Sequence, residues 1–231
     1  MTTRAPGATV TRERVNDPQR DDADNASGTL IAIEGIDGSG KTTLAENLAA
    51  RLRDEEHPIT LTREPGGTDL GQKIRRLLLN PKHAPTPITE LLLYAADRAE
   101  HVQRVIRPAL HNGETVMTDH YTGNTIAYQQ HARRLPPQAV QDLNHLATGG
   151  LRPHPTILLD ITPARALERA RDRREDRLET DTLDHHHLLR RAYHLQAAND
   201  PTWAVIDTER PPHVVLLDTL AHVEITAGGA T

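Results

Sequence analysis

Five short runs of aliphatic residues, at positions 29–33, 59–62, 115–118, 156–161 and 203–207, recur along the chain between longer stretches of mixed polarity. Within the runs Val, Ile and Leu follow one another with little polar alternation, as in strands buried on both faces of a parallel sheet. The stretches between them carry apolar residues at helical spacing. Leu44, Leu48 and Leu52 follow the first run, and Leu91, Leu92, Ala95, Ala99, Val102 and Ile106 form the apolar side of a long helix predicted from about Ile88 to Leu110. Pro108 is expected to tighten or kink that helix, and Asn112-Gly113 to close it. The alternation predicts a doubly wound α/β domain. Residues 1–28 depart from the pattern, with Arg4, Arg12, Arg14 and Arg20 among Asp17, Asp21, Asp22 and Asp24; they read as a disordered extension before a domain at 29–231.

In such a sheet functional loops lie beyond the C-terminal ends of the strands. Polar signatures do follow the runs: Arg63-Glu64-Pro65-Gly66-Gly67-Thr68 after the second, Asp119-His120-Tyr121 after the third, and Asp160 near the end of the fourth. After the first run stands Gly35-Ile36-Asp37-Gly38-Ser39-Gly40-Lys41-Thr42, the pattern G-x-x-x-x-G-K-[ST], with Thr43 next and a helical pattern beyond it. A strand, a glycine-rich turn and a helix N-terminus direct successive backbone N–H groups at an anion. Lys41 can reach the β- and γ-phosphates and the Thr42 hydroxyl can ligate Mg²⁺. Lysine is scarce here, three residues against 24 arginines, yet lysine holds this position. The chain is read as a nucleotide phosphate binder.

Composition narrows the classes. With 231 residues, 36% hydrophobic content and net charge −5, a folded domain is expected, without the basic surface of a nucleic-acid binder. There is no Cys, hence no disulfide, thiolate metal site or thiol nucleophile. No run approaches the length of a membrane span and the N-terminus lacks the apolar core of a secretory signal, so a soluble, cytoplasmic protein is expected. Tyr94 and Arg98, four apart on one helix face, either hold a nucleobase by stacking and hydrogen bonding or form a core-edge tyrosine beside a solvated arginine. His185-His186-His187 diverge by about 100° each on a helix and read as solvated surface rather than a metal site.

Several motifs in series resemble the bacterial thymidylate kinase family: Glu34 to Thr43, Thr62 to Thr68, Glu90-Leu-Leu-Leu-Tyr-Ala-Ala-Asp-Arg98, Asp119-x-Tyr121, Ala127-Tyr128-Gln129 and Leu158-Leu-Asp-x-x-Pro163. The resemblance implies a P-loop three-layer fold with a five-stranded parallel sheet, a homodimer, and transfer of the γ-phosphoryl of ATP to dTMP with Mg²⁺. It implies that Lys41 and the loop from Gly35 to Thr43 bind ATP, with Asp37 near acceptor and metal and Thr42 and Asp119 at Mg²⁺. Arg63 would reach the acceptor phosphate, Tyr94 would stack on thymine, Arg98 would bond the base edge, Thr125 would meet the pyrimidine, and Tyr128 would crowd the sugar 2′ position. The phosphate loop contains no arginine, so the catalytic arginine would come from a lid at about 165–179. Of Arg165, Arg169, Arg171, Arg173, Arg174 and Arg177, Arg169 and Arg173 are expected to touch phosphate; the rest pair with the interspersed acids.

Two positions depart from that family. An arginine usually follows the aspartate after the third strand; here it is His120, shorter, without the bidentate fork, and with an ordinary pKa near ~6.5. Asn124 stands where a serine is common. Three explanations fit: a slower thymidylate kinase, substitution by another arginine such as Arg75, or an acceptor pocket turned to a different or modified pyrimidine monophosphate. A nucleotide-binding protein with a decayed acceptor site is the rival class. If His120 acts as a protonated phosphate ligand beside Asp119, acceptor affinity should rise as pH falls from about 8 to about 6.

Overall fold

The computed structural model describes residues 28–80, 82–170 and 182–228. Residues 1–27 of the expected extension and residues 171–179 of the expected lid, with Arg173, lie outside the described residues. The five aliphatic runs are five parallel strands: β1 (Thr29–Glu34), β2 (Ile59–Arg63), β3 (Thr115–Asp119), β4 (Thr156–Asp160) and β5 (Trp203–Asp207), in the order β2-β3-β1-β4-β5. Successive side chains of a strand leave on opposite faces. On β1, Ile31 and Ile33 pack with Leu44, Leu48 and Leu52 of α1 (Lys41–Arg53) and with Val215, Leu220 and Val223 of α9 (Pro212–Gly228). Leu30 and Ala32 pack on the other face with Val102, Ile106, Ala109 and Leu110. Helices on both faces explain why the runs lack polar alternation.

The helix expected over Ile88–Leu110 is present in three joined parts: α3 (Pro87–His101), a π-helical turn (Val102–Ile106) and α4 (Arg107–His111). Pro108 has no N–H to donate and its ring crowds the carbonyl four residues back, which accounts for the widened turn before it. The apolar side differs from expectation. Leu92 is half exposed, whereas the buried side of α3 carries Glu90, Asp97, Arg98 and His101 beside Leu91 and Tyr94. Periodicity of apolar residues does not register a stripe of buried charge, because each of these groups is buried only by virtue of partners on other elements.

The remaining elements are α2 (Asp69–Leu79), α5 (Thr122–Thr125) followed by a second π-helical turn (Ile126–Ala132), α6 (Pro137–Thr148), α7 (Pro163–Ala170) and α8 (Leu183–Asn199). Glu34, at the C-terminal end of β1, is fully buried; its Oε1 accepts the N–H groups of Tyr121 and Asn124 at 2.9 and 3.1 Å, tying β1 to the loop after β3. Asp160 accepts both Arg190 Nε and Nη2 (2.7 and 2.8 Å) and His194 Nε2 (2.9 Å), fastening α8 to the end of β4. No helix among the described residues is long and apolar enough to cross a membrane. Leu48 is fully buried between α1 and the sheet, so Leu48→Ala is expected to lower unfolding free energy by about 2–5 kcal/mol in denaturant titration.

Candidate active site

A cleft of about 760 Å³ opens at the C-terminal edge of the sheet. Its walls come from the loops after four strands. The turn after β1 contributes Asp37 to Lys41, β2 contributes Arg63 and Pro65, β3 contributes Asp119 and His120, and the segment after β5 contributes Thr208 and Arg210. Since β2 and β5 are the outermost strands, their loops stand at opposite ends of the cleft, with the β1 and β3 loops between.

The β1 turn owes its shape to two glycines. Gly38 has φ 81° and a Cβ there would meet Ala166 O at 2.2 Å; Gly40 has φ 97°, which favours glycine even though the space beside it is open. Gly40 is the N-cap of α1, and the first turn of α1 has no capping side chain and no acidic residue. The N–H groups there point into the cleft with the positive end of the helix dipole behind them. Lys41 donates to Gly35 O (3.0 Å) and Ile36 O (3.1 Å) and stands 3.6 Å from Asp37 Oδ1. Ser39, though buried, lines the cleft together with Thr42 and Thr43.

Thr42 Oγ1 donates to Asp119 Oδ2 at 2.8 Å, and Asp119 Oδ1 is buried with no hydrogen-bond partner. Burial opposes ionisation of Asp119, but His120, Lys41, the Thr42 hydroxyl and Arg63 outweigh it and hold the carboxyl below its usual range. Asp37 is also held low: burial opposes this, and Lys41, His120, the Tyr128 hydroxyl and His186 favour the anion. About a third of the Asp37 side chain is open to the cleft, so the neighbouring charges rather than burial decide its state. Tyr128 donates to Asp37 Oδ2 at 3.1 Å.

The β2 end carries the side chains expected to meet an acceptor. Arg63, Tyr94, Asp119, His120, Asn124 and Tyr128 all line the cleft. Arg98 and Thr125 stand behind that wall, both at most 1% exposed. Arg98 Nε donates to Glu64 Oε2 (2.7 Å), Nη1 to Thr125 Oγ1 (3.0 Å) and Asn144 Oδ1 (2.7 Å), and Nη2 to the carbonyl of Tyr121 (2.9 Å). Those bonds use one donor on Nε, two on Nη1 and one on Nη2, of the five a guanidinium has. The solvated alternative for Arg98 is overturned, since it is among the largest fully buried side chains of the protein. Asn124 turns its Oδ1 to the Tyr193 hydroxyl of α8 at 3.1 Å. His120 has φ +70° and its Nδ1 lies 3.1 Å from Glu34 Oε2, so its hydrogen-bond partner is Glu34 rather than Asp119.

At the other end Arg169 lines the cleft and donates to Thr208 O at 3.0 Å, while Arg165 pairs with Glu168 at 2.6 Å, as expected for a structural arginine. The histidine triplet is not a solvated surface throughout. His186 is 2% exposed and lies close enough to Asp37 to act on its carboxyl, and the His185 ring lies 6.1 Å from that of Tyr128; His187 alone of the three is exposed. Further residues lining the cleft include Arg75, named above only as a substitute phosphate ligand, and Thr208 and Arg210 beyond β5, which none of the motifs contains. The rule that loops after parallel strands carry function points to Thr208 and Arg210, because Asp207-Thr208-Glu209-Arg210 directly follows the fifth aliphatic run.

A phosphate loop and a cluster of arginines and aromatics at opposite ends of one cleft define a P-loop domain built to hold two nucleotides, the arrangement of a nucleoside monophosphate kinase. A family model described as thymidylate kinase matches residues 33–218, and the chain belongs to that family. It is 48% identical to a thymidylate kinase of Synechococcus sp. (strain JA-2-3B'a(2-13)) over 172 residues, 74% of this chain and 82% of the relative. It is 42% identical to that of Carboxydothermus hydrogenoformans over 198 residues (85% and 97%) and 43% identical to that of Deinococcus radiodurans over 188 (80% and 91%).

Asp97, beside Arg98, has its carboxyl pushed up to about 6 by burial first and by Glu64 second. A carboxyl that ionises less readily folded than unfolded contributes stability below its unfolded pKa of about 3.9, and that contribution is lost as pH rises toward 6. Asp97→Asn removes the titration. Its stability relative to wild type should therefore grow by about 1–1.5 kcal/mol between pH 5 and pH 8, measured by paired urea titrations; a constant difference would contradict the assignment.

Proposed function

We propose that the protein transfers the γ-phosphoryl group of ATP to dTMP, giving dTDP, with Mg²⁺. The observation that carries this reading is the two-ended cleft, with the phosphate loop and Arg169 on the β1 and β5 side and Arg63, Arg75 and Tyr94 on the β2 side. Phosphoryl transfer calls for alignment of two anionic nucleotides and neutralisation of their charge more than for covalent help. The turn from Gly35 to Thr43 and Lys41 bind the ATP phosphates, and Arg169 joins them from the α7 side. Arg63 and Arg75 hold the acceptor phosphate. Tyr94 stacks on the thymine, and Arg98, fixed through four donors, offers the remaining N–H of Nη2 toward the base edge. Thr125 fixes Arg98 from behind. Asp37, held ionised, and Tyr128 together bound the acceptor sugar.

The residues present fit Mg²⁺. Thr42 Oγ1 and Asp119 Oδ2 lie together and Asp119 Oδ1 is a buried oxygen lacking a partner, a hard-oxygen set of low count. No group of three acidic, His or Cys residues able to hold a metal occurs among the described residues, in keeping with an ion bound by one or two protein oxygens plus phosphates and water. When bound, Mg²⁺ neutralises charge on the phosphate oxygens. A homodimer is supported by exposed aliphatics on three packed helices: Leu70 and Leu77 of α2, Ile88 and Leu92 of α3, and Leu146 of α6. The setting is cytoplasmic, with nucleotides as the small-molecule partners and neither nucleic acid nor membrane among them.

An ADP-release assay with ATP and Mg²⁺ against dTMP, dUMP, UMP and CMP tests the reading. dTMP should be the best acceptor, and Lys41→Ala should lower kcat/KM by about 10²-fold or more. ATP binding without turnover of any acceptor would sink the proposal. His120→Arg restores a fork toward the acceptor phosphate and should lower the KM for dTMP by about tenfold. An unchanged KM would mean that Arg63 and Arg75 already saturate that phosphate.

A further inference from the structure

Asp97 has no part in the chemistry described so far, yet its surroundings are specific. The side chain is 1% exposed, and its Oδ1 accepts the backbone N–H of Gly66 at 2.9 Å. A Cβ at Gly71 would lie 2.4 Å from the same oxygen, so the carboxylate fits beneath the turn 65–71 without room for another atom. That turn is gripped from above as well. Gly66 O accepts the Gln72 side-chain amide, and Pro65 O accepts Arg75 Nη1 at 3.3 Å. The Arg75 guanidinium therefore rests on the carbonyl of the same peptide unit whose N–H Asp97 holds. Arg63 enters the turn and Arg75 follows it, and both line the β2 end of the cleft.

We infer that Asp97 is a positioning residue for the acceptor phosphate: by holding Gly66 N–H from below, it sets the distance between Arg63 and Arg75. The inference rests on the proposed function for its consequence, though not for its geometry. A carboxylate makes a stronger anchor for a backbone N–H than a neutral acceptor does. A displacement of about 1 Å in a residue that orients substrate is enough to be felt in kinetics. A merely structural role would predict lost stability with no selective effect on the acceptor.

The test uses the full chain carrying Asp97→Ala, Asp97→Asn or Gly71→Ala. Asp97→Ala should raise the KM for dTMP about tenfold, with the KM for ATP within about twofold of wild type. Asp97→Asn keeps an oxygen for Gly66 and should stay within about threefold. Gly71→Ala displaces the carboxylate without deleting it and should give the same split as Asp97→Ala, which covers failure of the alanine variant to fold. Amide hydrogen exchange across residues 64–72 should quicken in Asp97→Ala and Gly71→Ala and not in Asp97→Asn. Unchanged KM for dTMP, or equal rises in both KM values, overturns the inference. Wild-type protein without dTMP turnover would fail the proposed function instead; the exchange measurement then decides alone, and unaltered exchange overturns the positioning role.

Discussion

The buried ion pair between Arg98 and Glu64 is the contact on which the acceptor half of the protein depends. Arg98 Nε meets Glu64 Oε2 at 2.7 Å, with both side chains at most 2% exposed. Two charges removed from water lose more in desolvation than their attraction returns unless their remaining hydrogen-bonding capacity is met. Here all but one N–H of it is met, by Thr125, Asn144 and the Tyr121 carbonyl on one side and by His101 Nδ1, 2.9 Å from Glu64 Oε1, on the other. The partners come from β2's loop, α3, the segment after β3, and α6. Removing Arg98 or Glu64 strands a charge in the interior, and removing a neutral partner leaves a buried donor unpaired, so these elements keep one mutual arrangement. The Asp97 carboxyl, buried beside the same pair, resists ionisation because it is removed from water first and lies in the field of Glu64 second.

The two ends of the cleft are built on different principles. The donor end is made largely of backbone: a turn shaped by Gly38 and Gly40 and the uncapped first turn of α1. The acceptor end is made of side chains gathered from separate elements and held by a second layer behind them. Glu34 joins the two. It ends β1, accepts two N–H groups of the segment after β3, and meets His120. A change in the loop after β3 is therefore felt at the strand that launches the phosphate loop.

That contrast governs what the sequence makes legible. The phosphate loop is read directly because all its parts are contiguous from Gly35 to Thr43. The five strands are equally plain, because burial on both faces leaves unbroken aliphatic runs. The face of α3 is not, since Glu90, Asp97, Arg98 and His101 are buried by hydrogen-bond partners 23 to 46 positions away, from the Tyr121 carbonyl to Asn144 for Arg98 alone. Counting apolar residues assigns Leu92 to the core and leaves these outside it. His186 is hidden for a related reason: consecutive histidines look solvated until the turn after β1, with Asp37, and the π-helical turn bearing Tyr128 are seen against α8. The spacing of Tyr94 and Arg98 leaves a base-binding pair and a solvated arginine both open, and only the resemblance favours the first; the anchoring of Arg98 is a property of the fold.

His120 shows how such a site absorbs a change at a charged position. Its backbone lies in the left-handed region at φ +70°, where histidine is found several times more often than most side chains. Its ring is held by Glu34, a carboxylate already fixed by two backbone N–H groups, so the substitution needs no new scaffold. Arg63 and Arg75 remain at the same end of the cleft, one on either side of a turn anchored by Asp97, Gln72 and Arg75 itself. On the proposed function, charge toward an acceptor phosphate would be concentrated on the β2 side of the site rather than shared with the β3 loop. On that reading the rigidity of the 65–71 turn matters more here than it would in a site with a third arginine after β3, because two guanidinium groups would hold by position what three would hold by number.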